Sequence, residues 1–185
     1  MMKFAMTAVL ALALSACSVV KPKPPAQSQF LVPISNILLS VGIPARGAVA
    51  TLVLVARNQG VETWQTGDNV SISLREGVIV GTRGLGFDVM GAEVRPTLAA
   101  LAGRQSGEYT LSRRYLTADN HPESIIATCT MARSGGQGQF VEDCRADVGK
   151  FRNEYWLDGS GRIVQSNQWI GPQVQYLKTS YAVAK

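Results

Sequence analysis

The stretch SIIATCTMARSGGQGQFVEDCRA, residues 124–146, decides how this chain is read. Two runs of strand-forming residues, Ser124–Met131 and Gln139–Ala146, flank the turn-rich Gly135-Gly136-Gln137-Gly138. That arrangement predicts an antiparallel hairpin. The two cysteines check the register. The midpoint of positions 129 and 144 falls between Gly136 and Gln137, inside the tip, so Cys129 and Cys144 should lie opposite one another. Directly opposed strand residues stand about 4.5–5.5 Å apart, within reach of a disulfide. A zinc site is the competing use of these thiols. It needs four soft or imidazole ligands, and two cysteines with a single histidine do not supply them. A structural disulfide is the expectation.

Outward from the hairpin the same grammar repeats. Val70–Leu74 alternates apolar and polar residues, Arg75-Glu76-Gly77 turns the chain, and Val78–Thr82 returns it. Further strands are expected at Ala48–Ala56, Val61–Thr66, Glu108–Leu116, Phe151–Leu157, Arg162–Trp169 and Gln173–Tyr181. Their separators are turn-rich, among them Asp119-Asn120-His121-Pro122, Asp158-Gly159-Ser160-Gly161 and Gly171-Pro172. Pro96–Ala102, with Pro at its start and Gly103 at its end, predicts a short helix, and Pro33–Ser40 a second. The expected fold is mainly β: an antiparallel meander forming a curved sandwich or partly open barrel, with one or two short helices.

The amino terminus has a different character. Met1, Met2 and Lys3 precede an apolar run from Phe4 to Leu14, too short to cross a bilayer and suited to an export signal. It ends in Leu14-Ser15-Ala16-Cys17, which resembles the bacterial lipobox at each of its four positions. Residues 1–16 are therefore expected to be a signal peptide, with Cys17 lipidated. Residues 17–30, rich in proline, would be a semi-rigid tether, and residues 31–185 a single domain. Ser18 rather than Asp after the anchor points to the outer membrane, on its periplasmic face. That compartment is oxidising, which agrees with the expected disulfide. The formal net charge of +5 is scattered rather than clustered, so nucleic acid is not an expected partner.

Three segments carry a resemblance. TWQTGDNVSISLREGVIVGTRGLGFDV (63–89), the cysteine pair in ATCTM and VEDC (127–131 and 141–144), and NEYWLDGSGRIVQSNQWIGP (153–172) together resemble the group 4 capsule polysaccharide lipoproteins, the YjbF/GfcB-like family. The resemblance implies a β-rich periplasmic lipoprotein acting with exopolysaccharide or capsule export components. It also implies partners that include an outer-membrane β-barrel and further periplasmic export proteins, with polysaccharide itself a candidate. It carries no catalytic residues and no cofactor.

The residues offer little chemistry of their own. Trp64, Tyr155, Trp156 and Trp169 are candidate glycan or partner contacts, although strand aromatics more often pair within a core. Arg83, in Thr82-Arg83-Gly84-Leu85-Gly86, could pair with an anionic sugar, but the segment lacks the spacing of a phosphate loop. His121, the single histidine, lies in a turn, and the adjacent Glu142 and Asp143 should point to opposite faces of one strand. Neither these nor Glu62 and Asp68 make a recognisable acid–base pair. The expectation is a non-enzymatic accessory protein with no metal. The alternatives are a lipid- or glycan-binding carrier with an apolar pocket and a polysaccharide-cleaving enzyme.

Overall fold

The computed structural model describes residues 34–117 and 119–183. The expected signal peptide, Cys17 and the expected tether lie outside the described residues. The elements in chain order are β1 (Ile37–Ile43), β2 (Ala48–Asn58), β3 (Val61–Gln65), β4 (Ser71–Arg75), β5 (Val78–Arg83), β6 (Asp88–Ala92), α1 (Arg95–Leu101), β7 (Tyr109–Leu116), β8 (Pro122–Arg133), β9 (Gln139–Ala146), β10 (Gly149–Leu157), β11 (Ile163–Gly171) and β12 (Gln175–Val183). All twelve strands join one antiparallel sheet in the order β5-β4-β3-β2-β1-β12-β11-β10-β9-β8-β7-β6. Every neighbour in that order is also a neighbour in sequence, except that β1 pairs with β12. The sheet curls until its two edges, β5 and β6, meet along a seam, giving a nearly closed barrel. Side chains bridge the seam: Asp88 accepts from the Thr82 hydroxyl at 2.9 Å, and that hydroxyl accepts the Val89 N–H at 2.9 Å.

The alternation read from the sequence shows directly in burial. Along β7, Tyr109, Leu111, Arg113 and Tyr115 point inward and the residues between them face solvent. The interior is filled rather than hollow. Phe87 stacks on Tyr115 with centroids 4.8 Å apart, and Phe151 stacks on Trp169 at 4.2 Å. Opposite walls touch. Buried Gln168 on β11 accepts the Ile79 N–H of β5 at 3.0 Å and donates to the Gly77 carbonyl at 2.9 Å. The β8–β9 register pairs Cys129 with Cys144, and a disulfide joins them across a Cα separation of 4.1 Å.

Two expectations need correction. Of the helix expected at Pro33–Ser40, Ile37–Ser40 instead begin strand β1, lying between β2 and β12. A short apolar run reads equally as helix or buried strand, and here pairing on both sides decides the outcome. Gly42, expected after the helix, sits inside β1. Strand β6 was not expected at all, because Asp88 and Gly91 depress strand propensity in so short a segment. Helix α1 forms one residue earlier than expected.

Candidate functional site

Helix α1 does not lie outside the sheet. It follows β6 and partly plugs one end of the barrel, where the Thr97 hydroxyl donates to buried Glu142 on β9 at 2.6 Å. The same Oε1 accepts Tyr109 Oη at 2.7 Å, while Oε2 accepts Asn153 Nδ2 at 2.6 Å and Tyr155 Oη at 3.2 Å. Burial and the neighbouring Glu142 charge hold both phenols well above their ordinary pKa range, so they remain donors. Asn153 Oδ1 in turn accepts the Trp169 N–H at 2.7 Å, and the Arg113 guanidinium, also buried, donates to the Trp169 carbonyl. This network fixes the helix in the barrel mouth.

The helix covers only part of that end. Beside it opens a cleft of about 900 Å³. Its apolar surface comes from Leu98 and Leu101 of α1, Leu157 and Ile163 around the β10–β11 turn, and the Trp64–Tyr181 pair. Those two rings meet edge to face with centroids 5.6 Å apart. Burial pushes the Tyr181 hydroxyl up to about 12, with the charge of Glu62 adding to the effect. Three guanidinium groups stand on the rim. Arg57 pairs with Glu62 at 3.0 Å and Arg162 with Asp158 at 3.0 Å, whereas exposed Arg104 has no carboxylate partner among the described residues. The chain also enters here, because Ile37, the first residue of β1, lies on the lip.

The residues singled out from the sequence are dispersed. Tyr155 is wholly buried, and Trp169 is nearly so, committed to its stack on Phe151. Trp64 is 1% exposed yet lies against the cleft. Trp156 is half-buried near the α1 end of β10, and exposed Arg83 sits at the opposite end of the barrel. The five therefore form no common platform. His121 is exposed and its Nδ1 lies 2.7 Å from Asp119, within its own turn. Glu142 points inward and Asp143 outward, where it pairs with Arg152 at 2.7 Å. Sequence reasoning missed the arginine rim and the helix plug. Arg57 stands near the end of β2, Arg104 follows α1 and Arg162 precedes β11, so these positions are far apart in sequence and only closure of the sheet brings them together. No group of three or more His, Cys, Asp or Glu among the described residues could hold a metal ion. No helix among them is long and apolar enough to cross a membrane, which says nothing of the strands.

The barrel is similar to the crystal structure of the hypothetical lipoprotein YmcC from Escherichia coli (K12), with a TM-score of 0.66 and 19% identity over 78% of this chain and 81% of that one. That likeness shows the fold. Comparison with curated proteins gives no match. The family described as group 4 capsule polysaccharide lipoprotein gfcB, YjbF matches residues 31–181, from before β1 into β12. The chain belongs to the YjbF family of group 4 capsule polysaccharide lipoproteins.

Proposed function

We propose that this lipoprotein is a non-enzymatic accessory factor in exopolysaccharide or capsule production and export, anchored through Cys17 to the periplasmic face of the outer membrane. The observation that carries the reading is the state of Glu142. This buried carboxyl has both oxygens taken by four donors, among them Thr97 of α1, so its hydrogen-bonding capacity is committed to holding the helix in place. A barrel filled in this way offers surfaces for docking. In that role its partners are an outer-membrane β-barrel and periplasmic export proteins, with the polymer itself a further candidate.

Deletion of the gene, with measurement of secreted polymer, tests the role, alongside affinity capture of outer-membrane partners. Reduced export and recovery of a barrel partner are expected. Unchanged export with no such partner overturns the reading. Purified exopolysaccharide incubated with the protein should keep its chain length; shortening would instead support a polysaccharide-cleaving enzyme. The cleft beside α1 favours the second reading, a carrier of lipid or glycan, because its volume falls in the ~300–1,000 Å³ range of ligand sites. A carrier would retain extractable ligand through purification.

A further inference from the structure

We propose that the cleft beside α1 takes an acyl chain of an anionic glycerophospholipid, with the phosphate at the arginine rim, so that the barrel rests mouth-down on a bilayer. Three independent features of this end support it. The first is the position of the chain entry. The described chain begins at Ile34 and enters β1 at the cleft lip. Extended chain spans at most ~3.5 Å per residue, which lets residues 17–33 place the mouth either on or well clear of a membrane that holds Cys17.

The second is the distribution of exposed apolar groups. Ile37, Val164 and Val183 all line the cleft and are 36%, 38% and 67% exposed, and Ile34, at 53%, lies just before β1. The other large exposed apolar side chains, such as Val49 and Val148, lie elsewhere on the barrel. An apolar lip around an apolar floor at the entry end is a surface that a bilayer would cover.

The third is charge. Arg57 and Arg162 are paired with Glu62 and Asp158, and Glu76 also lines the cleft. Arg104, with no carboxylate partner among the described residues, is therefore the cation that can lay its stem along the apolar wall and hold its guanidinium at headgroup level. A planar guanidinium is matched to phosphate oxygens. A second copy of the chain fits less well, since its own arginine rim would face this one. A sugar chain also fits less well. The floor is largely aliphatic, and Trp64 offers little of its face, being 1% exposed. This inference rests on the geometry of the mouth and does not depend on the polymer-export reading.

The described domain closes its own barrel, so the test uses residues 18–185, which lack the acyl anchor. Binding is measured by flotation with phosphatidylcholine vesicles, with and without phosphatidylglycerol, and by fluorescence quenching with bromo-acyl lipids. The expected result is binding that requires the anionic lipid and weakens with salt, together with quenching that Trp64→Phe largely removes. Arg104→Glu and Val183→Asp alter exposed side chains and should weaken binding about 25-fold and about fivefold, given roughly fivefold for each unit of charge near a charged surface. Equal binding to both vesicle types, or variants that bind like the unaltered protein, would overturn the proposal. So would full competition by inorganic phosphate alone. Self-association abolished by Val183→Asp, without vesicle binding, would assign the mouth to a second copy instead.

Discussion

Glu142 shows how one residue can be visible in a sequence while its role is not. Alternation along Gln139–Ala146 places it on a strand and on the face opposite Asp143, and both placements hold. Its partners cannot be read from spacing, since Thr97, Tyr109 and Asn153 come from one helix and two other strands. Removing a buried acceptor leaves its donors unsatisfied, at about 1–3 kcal/mol each. Glu142→Ala should therefore lower stability by about 3 kcal/mol or more. In urea titration the midpoint should fall while the slope is kept. Asp158 offers a milder case at the surface. The Ser160 hydroxyl, then the Arg162 N–H, hold its carboxyl well below the usual carboxylate range. Ionised Asp158 is favoured in the folded state, so its contribution is present above the unfolded pKa of about 4 and is lost as pH falls below it. Asp158→Asn should flatten the loss of stability measured by thermal melting between about pH 4 and pH 2.

At the scale of elements, the hairpins were legible because they combine period-two alternation with turns built on glycine or, as at Asn120 with φ +64°, asparagine. The β4–β5 turn is an example. Gly77 adopts φ +83°, and a Cβ there would lie 2.7 Å from the Ile163 Cβ on the opposite wall. The strained conformation and the overpacking together put Gly77→Ala at about 2–4 kcal/mol destabilising, measurable by chemical denaturation. The β8–β9 hairpin was legible through its cysteines, which close a separation of 15 residues. Replacing both with alanine should cost about 3 kcal/mol in the chain-entropy account, and reductant should then no longer change the unfolding midpoint. What failed were the elements whose state is set from outside. β1 is extended because β2 and β12 pair with it, and neither partner is near it in the local pattern except through the turn at Pro44–Arg46. β6 is extended because β7 pairs with it, from Asp88 opposite Leu116 to Ala92 opposite Arg113.

For the molecule as a whole, the sequence indicated a curled antiparallel meander but not how far it closes. Closure depends on side chains at the seam, where Thr82 and Asp88 replace part of an ordinary ladder. Amides at such an edge have fewer strand partners than those in β1 and β12, which are paired on both sides. Native-state hydrogen exchange should therefore find β5 and β6 opening at lower free energy than β1 and β12. The cleft was illegible for the same reason as the seam: its walls are α1 and strand ends far apart in sequence that only the closed barrel gathers at one end.

The pairing of the first and last strands has one more consequence. Ile37 stands opposite Val183, and both lie at the α1 end. A linker of a few residues could therefore join them as it joins any antiparallel pair. New termini cut into the β5–β6 loop would turn the molecule into an uninterrupted up-and-down meander from β6 through β12 and β1 to β5. The natural chain is, in topological terms, a circular permutant of that simpler protein. Its opening has been moved from the seam to the cleft lip, so that the start of β1, the end of β12 and the barrel mouth share one end.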